Sequence, residues 1–324
     1  MIGIKAKYGI YMLISILIFS VFEVVTKTMN GSLTGMQLTF YRFIIGGMCL
    51  LPFGIRELKK RQFVFNAKYI VMFFLLGFML VTVSMSLAQY GVFYSSAGLS
   101  AVLFSSNPLF ISIFSVLLLK EKMNRWKILG LVIGLVGVLI SCIHLISNNE
   151  ISGRYIIGIT CTLLGMIVFS IYSVINKKVS VGSIGPVAMT AISSICGAIC
   201  CIPFLIVTGI STHENMFYFP VKSILPQFLF IGIVLTGLAY LLYYVALANL
   251  DTSIGSMAFL LKPPLASVWA LIFLGETIWP NTIVGIILIL VGVGISVKLG
   301  QRTLHHNTKV KERGGVYEKT RNHS

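Results

Sequence analysis

Long apolar runs separated by short polar connections occupy most of this 324-residue chain, from about residue 8 to residue 298. A helix of about 20 apolar residues crosses the hydrocarbon core of a bilayer, which is about 30 Å thick. Only 10% of the residues are charged, whereas about a quarter are charged in a typical soluble domain. The runs therefore predict an all-α integral membrane protein with ten transmembrane helices, and they leave no room for a soluble catalytic domain.

The predicted helix bounds follow from breaking the runs at charge clusters and turn-forming residues. The ten predicted helices cover residues 8–28, 35–55, 68–90, 96–118, 126–146, 154–176, 184–208, 224–247, 251–275 and 280–298. The first run shows no small-residue cleavage site, so we expect a retained helix rather than a signal peptide. Residues 299–324 form a basic tail that we expect to be disordered.

Lysine and arginine are distributed unevenly between the two predicted sides of the membrane. If the N-terminus is inside, twenty of the 25 basic residues face the inside, and only Lys27, Arg154 and Lys222 face out. Short cytoplasmic loops collect lysine and arginine. We therefore expect a multi-pass protein of the cell (inner) membrane with both termini in the cytoplasm. The same distribution explains the net charge of +16 without a nucleic-acid partner.

An internal repeat is the most specific pattern in the sequence. Residues 130–141 (GLVIGLVGVLIS) are similar to residues 285–296 (GIILILVGVGIS) at an offset of 155. The same offset aligns three further pairs, namely Gly77 with Gly232, Pro108 with Pro263, and Glu121 with Glu276. At an offset of 150, Phe19 aligns with Phe169, Ser20 with Ser170, and Lys27 with Lys177. The sequence therefore divides into two five-helix repeats, residues 1–147 and 148–298, followed by the tail.

The odd number of helices in each repeat has a topological consequence. After five helices the chain enters the membrane from the opposite side, so the repeats are expected to be inverted. Transporters with this architecture place the substrate site near the midplane, between the halves, and alternate its access by moving one half against the other.

Two segments carry a resemblance to a known family. NPLFISIFSVLLLKE and PPLASVWALIFLGE each place a proline thirteen residues before a loop glutamate, and each is followed by a glycine-rich helix. This pattern resembles the EamA-type branch of the drug/metabolite transporter superfamily. The resemblance implies a transporter fold, and the family includes exporters of amino acids, other metabolites and drugs.

Lys262 is the first candidate site residue, because it lies near the middle of the ninth predicted helix. A lysine there is costly, by about 2.5–3.5 kcal/mol on insertion scales, and such residues usually face a cavity or a partner. Lys262 is interpreted either as an anchor for an anionic group of the solute or as a structural lysine paired with a carboxylate or with loosened carbonyls. Asn107 aligns with it, so each half places a polar side chain beside a proline helix break.

Two further charged residues lie within predicted helices. Glu23 is interpreted as the acceptor of a coupling proton or of a substrate amine, or as the partner of Lys27 in a simple i,i+4 helix ion pair. Arg42 is interpreted as a solute contact or, more simply, as an arginine that extends to the membrane interface.

Aromatic residues near these charges are the remaining candidates. Phe259 is one turn from Lys262, Phe19 is one turn from Glu23, and Tyr172 and Tyr240 lie in other predicted helices. They are interpreted as lining a solute pocket or as ordinary packing residues. Glu121 and Glu276 are expected to cap the helices that follow them.

The leading functional hypothesis is a secondary transporter, most simply an exporter of amino acids or related carboxylate-bearing metabolites. The chain has no Walker motif, so the energy would come from an ion or solute gradient, with a proton as the candidate coupling ion. No cofactor or metal is expected, because the six cysteines show no CxxC or Cys/His ligand spacing. The alternatives are uptake on the same fold and, more remotely, an integral membrane enzyme, although no histidine lies beside an acid in a predicted helix.

Overall fold

The computed structural model describes residues 2–30, 32–120, 125–141, 153–180, 184–212, 221–249 and 261–295. Within these ranges the chain is helical apart from turns and one isolated bridge between Asn30 and Leu33. The helices are numbered in chain order, and a helix that is divided by turn residues or by a π-helical stretch keeps one number. Their bounds are α1, Ile2–Ser20 and Phe22–Lys27; α2, Gly35–Lys60; α3, Ala67–Gly77, Phe78–Met85 and Ser86–Tyr94; α4, Ala97–Phe104 and Asn107–Leu119; α5, Arg125–Ser141; α6, Gly153–Ser180; α7, Pro186–Thr212; α8, Val221–Leu229, Phe230–Leu238 and Ala239–Asn249; α9, Lys262–Leu274; α10, Pro280–Gly294.

Seven of the described helices are long and apolar enough to cross a membrane. They belong to α1, α2, α3, α4, α6, α7 and α8, whereas the described parts of α5, α9 and α10 are shorter apolar helices. Many large apolar side chains are exposed, including Val71, Leu139 and Ile210, as expected where lipid rather than water surrounds the helices. The all-helical membrane class is confirmed, and the number of ten spans stays a prediction.

Several helices depart from regular α geometry in the membrane interior. α4 is interrupted between Phe104 and Asn107, directly before Pro108, because proline removes a backbone donor and clashes with the preceding turn. α3 and α8 each contain a π-helical stretch, Phe78–Met85 and Phe230–Leu238. π-Helical turns are often found at functional sites.

Equivalent helices of the two halves form equivalent main packing pairs. α2 packs on α7, α4 on α9, and α5 on α10. α1 packs on α8 and α9 of the second half. Its equivalent, α6, packs in the same way on α3 and α4 of the first half. The core therefore lies between helices of different halves rather than within either half.

One end of the bundle is defined by Lys27, Ser95 and Glu276, and is called the Glu276 end below. The C-terminal end of α1 lies there, as shown by the hydrogen bond that Lys27 Nζ donates to the carbonyl of Ser95. The N-terminal end of α6 also lies there. Its Gly158 is so close to Ser95 that a Cβ on this glycine would lie 2.7 Å from the Ser95 nitrogen. α1 and α6 therefore run in opposite directions.

Glycine permits the closest of these helix crossings. A Cβ on Gly77 of α3 would lie 2.3 Å from the Ser193 carbonyl oxygen and 2.5 Å from the Gly197 nitrogen of α7. In hydrocarbon, helices associate through van der Waals packing, which small residues strengthen by letting backbones approach.

We therefore expect Gly77→Ala to destabilise the folded protein by about 1–3 kcal/mol, the usual cost of overpacking, because the added methyl group would meet backbone atoms. Gly9→Ala is the matched control, since a Cβ on Gly9 meets nothing within 4 Å. Thermal unfolding of the two variants in mild detergent measures the difference. Equal melting temperatures would contradict the close α3–α7 crossing.

Candidate functional site

Lys262 is the first residue of α9 and lies inside the bundle, with 8% of the residue exposed. Two prolines follow it in the sequence. Proline is well tolerated in the first turn of a helix, where a backbone N–H has no partner within the helix. The helix therefore begins in the interior and places an ammonium group beside its own N-terminus, a position that favours negative charge.

Glu23 supplies that negative charge. The Lys262 Nζ lies 2.7 Å from the Glu23 Oε1, and Glu23 is only 3% exposed. Glu23 lies on α1, just after a turn residue, Val21, that interrupts the helix. The structure thus joins the first and ninth helices through a buried ion pair. Of the two structural interpretations of Lys262, pairing with a carboxylate is the one observed.

Lys27 does not pair with Glu23, so the i,i+4 ion pair interpretation is wrong. Its Nζ donates instead to the carbonyls of Val92, Phe93 and Ser95, at the C-terminus of α3. The last carbonyls of a helix have no partners within the helix, and an ammonium satisfies them and favours the negative end of the helix dipole.

Arg42 of α2 is buried, with 4% of the residue exposed, so the interpretation that it extends to the membrane interface is wrong. Its guanidinium carbon lies 4.3 Å from the ring centre of Phe22 and 4.5 Å from that of Phe43. It is close enough to Glu23 and Tyr240 for electrostatic interaction. Arg42 thus belongs to the same interior cluster as the ion pair.

Aromatic rings surround this cluster. The rings of Phe19 and Tyr240 meet edge to face with their centres 5.0 Å apart. Phe104 lies on the other side, with its ring centre 5.9 Å from the Lys262 Nζ and 5.4 Å from that of Phe169. Phe259 lies outside the described residues.

Phe104 was missed in the sequence, although a signal was present. At the offset of 155 residues it aligns with Phe259, which was a candidate because it is one turn from Lys262. The repeat therefore identifies Phe104 as the equivalent ring, one turn before Asn107.

Asn107 and Tyr172 are both buried. Asn107 starts the second part of α4, and its carbonyl accepts a hydrogen bond of 3.3 Å from the Ser170 Oγ of α6. The Tyr172 hydroxyl lies near Ser193 and Thr190 without a hydrogen bond of standard geometry. Tyr172 also approaches Tyr240, which connects it to the cluster.

The Glu276 end is closed by a second set of polar contacts. The Glu276 carboxylate accepts hydrogen bonds from the backbone N–H groups of Ala97, at 2.8 Å, and Gly98, at 3.0 Å. It therefore caps α4 rather than the following helix α10, contrary to the prediction. Together with Lys27 it holds the corner between α3 and α4.

Glu57 plays the corresponding part at the opposite end of the bundle. Its Oε2 accepts hydrogen bonds of 2.9 Å from the backbone N–H groups of Val187 and Ala188, at the start of α7. Each carboxylate thus caps a helix in the other half of the chain, which no local capping pattern in the sequence could reveal.

A cavity of about 320 Å³ lies beside Glu276, between α4, α9 and α10. It is lined in part by Ser96, Ser267 and Thr282, and it does not include the Glu23–Lys262 pair. We assign the candidate site to the buried charged cluster rather than to this cavity. Charged side chains inside a membrane protein are costly, and they commonly mark the pathway of a solute or ion. No cluster of three possible metal-ligating side chains occurs among the described residues.

The buried pair leads to a stability prediction. Removing one partner leaves an uncompensated charge, so we expect Lys262→Met or Glu23→Gln alone to destabilise the protein by about 3–5 kcal/mol. The double variant should recover part of this loss, because neither charge remains. Melting temperatures of the four proteins in detergent form a double-mutant cycle. Additive losses would contradict direct pairing.

Comparison with known proteins agrees with this architecture. The model of the EamA-like transporter family matches residues 6–143 and again residues 156–298. A crystal structure with 17% sequence identity matches 92% of this chain and 99% of that one with a TM-score of 0.64, which shows a shared fold alone.

Curated relatives cover most of the chain. An uncharacterized transporter of Clostridium kluyveri is 31% identical over 288 residues, which span 88% of this chain and 91% of the relative. The uncharacterized transporter YoaV of Bacillus subtilis is 27% identical over 78% of this chain and 83% of its own length. An uncharacterized transporter of Archaeoglobus fulgidus is 28% identical over 69% and 76%, respectively. The family match over both halves shows that this chain belongs to the EamA-like transporter family.

Proposed function

We propose that this protein is a secondary transporter that exports small carboxylate-bearing metabolites, amino acids among them, by alternating access. Membership of the family makes it a membrane transporter of a small-molecule solute and excludes the enzyme hypothesis. The observation that carries the finer proposal is the ion pair between Glu23 and Lys262, buried between helices of different halves. A solute that bears a carboxylate can replace Glu23 as the partner of Lys262.

The pair also suggests how transport is powered. Each partner is stable in the interior only while the other, or a substitute, is present. A solute carboxylate on Lys262 releases Glu23, which can then bind a solute amine or take up a proton. Proton coupling through Glu23 is therefore part of the proposal, and uptake on the same fold is the alternative direction.

Inverted repeats are part of the proposed mechanism. Two observations support them: α1 and α6 run in opposite directions, and the helix packing is the same when the halves are exchanged. In such folds one half moves against the other around a fixed site. The domain division at residues 147 and 148 belongs to the same proposal.

The distribution of basic residues orients the proposed transporter. If both termini lie in the cytoplasm, the Glu276 end faces outside and the Glu57 end faces inside. In this proposal, the contacts of Lys27 and Glu276 with the α3–α4 corner hold the outer end of the carrier closed, and the contacts of Glu57 hold the inner end.

The first functional prediction concerns Lys262. We expect Lys262→Met to abolish transport, because the solute anion loses its partner, and Lys262→Arg to retain part of it, since the charge persists in a different geometry. Exchange of radiolabelled carboxylates and amino acids across proteoliposomes, with and without a proton gradient, measures the effect. Lys59→Met is the matched control, because Lys59 is exposed near the end of α2.

A folded Lys262→Met variant that transports at the wild-type rate would show that Lys262 is structural. If Lys59→Met loses as much transport as Lys262→Met, the assay responds to the loss of any lysine.

The second prediction concerns closure at the Glu276 end. Hydrogen bonds to a charged group contribute about 1.5–3 kcal/mol each, so Glu276→Ala should shift the carrier toward an outward-open state by a factor of about ten or more. A cysteine introduced at Phe104, in a protein without its native cysteines, should then react faster with an impermeant thiol reagent added outside.

Glu57→Ala is the control for this experiment, since it removes an equivalent cap at the other end. It should not accelerate the outside reaction. Acceleration by Glu57→Ala but not by Glu276→Ala would reverse the assigned orientation, and equal rates in all three proteins would contradict the closure.

A further inference from the structure

We propose that the interior site selects solutes of net charge −1, because it holds two fixed cations and one fixed anion. This inference rests on the proposed function and names the charge class of its substrate. Among the described residues, the buried charged side chains are Glu23, Arg42 and Lys262. Together these three side chains carry a net charge of +1.

Arg42 is the cation that lacks a matching anion. Within the described ranges no carboxylate lies at ion-pair distance from its guanidinium, and the nearby carboxylate, Glu23, is bound through Oε1 to Lys262. The Arg42 Nε is buried without a hydrogen-bond partner, and so is the second carboxylate oxygen of Glu23.

The aromatic contacts of Arg42 do not remove the need for an anion. Cation–π contacts with Phe rings stabilise a guanidinium less than burial in hydrocarbon destabilises it. Rings that cover the faces of a guanidinium leave its N–H edges available, and these edges bind a carboxylate in a bidentate manner. Arg42 is thus arranged to receive a planar anion.

Charge balance then fixes the preferred solute. A monocarboxylate, or an acidic amino acid with its single net negative charge, neutralises the site. A neutral zwitterion leaves an excess charge of +1, and a dicarboxylate leaves −1. Because an unbalanced charge is strongly unfavourable in a low-dielectric interior, the monoanion should bind best.

The experiment changes the site charge and follows the preferred ligand. The probes are two sets matched in size: lactate, alanine and malonate, and phenyllactate, phenylalanine and benzylmalonate, with net charges of −1, 0 and −2 in each set. Apparent dissociation constants are measured for the purified protein in detergent from ligand-dependent melting temperatures. Wild type should bind the monoanion at least about tenfold more tightly than the other two members of at least one set.

Two variants should move this preference in opposite directions. Arg42→Gln makes the site neutral, so the zwitterion should become the best ligand. Glu23→Gln makes the site +2, so the dianion should become the best ligand. Arg56→Gln is the control, because it removes an exposed arginine from the same helix and should leave the preference for the monoanion.

The outcomes separate this inference from the proposed function. An unchanged preference in folded Arg42→Gln, or a wild type that binds none of the probes, overturns the charge selection. If the variant still exchanges solutes in proteoliposomes with wild-type selectivity, the carrier function stands and Arg42 is structural. If wild type exchanges no carboxylate or amino acid, the proposed function itself fails.

Discussion

The buried ion pair between Glu23 and Lys262 is the interaction on which the arrangement of the interior depends. It connects α1 of the first half with α9 of the second, and each charge is tolerated in hydrocarbon only because the other is there. Because well-packed apolar side chains often stabilise a protein as much as a buried ion pair does, such a pair is by itself weak evidence for a role in stability. The breaking of this pair by a solute is accordingly part of the proposed transport mechanism and not of the observed packing.

The same constraint, the absence of water around buried polar groups, shapes the ends of the helices. Lys27 satisfies the last carbonyls of α3, and Glu276 satisfies the first N–H groups of α4. Lys27 belongs to α1 and Glu276 to the loop between α9 and α10, so these side chains fix the relative positions of helices as well as capping them. These contacts are polar and lie at one end of the bundle, in contrast to the close glycine crossing of α3 and α7.

The sequence predicted the class of fold, and it failed on the partners of several charged side chains. The apolar runs, the repeat and the family resemblance were sufficient for a helical membrane transporter. The helix break beside Asn107 was also as predicted. The pairing of Glu23 with Lys27, the interfacial position of Arg42 and the capping of α10 by Glu276 were all wrong, because each was inferred from neighbours along the chain.

Sequence alone determined what is set by local composition: where the chain can be helical in lipid, which residues are too polar to face it, and that the two halves are alike. Tertiary structure decided which buried charges meet, because Glu23 and Lys262 are 239 residues apart and nothing in the spacing of either sequence segment encodes their contact. It also decided that Arg42 lies in the same interior cluster. In a low-dielectric interior the energy of a charge depends on what lies within a few ångströms of it, and only the packing of the helices specifies that.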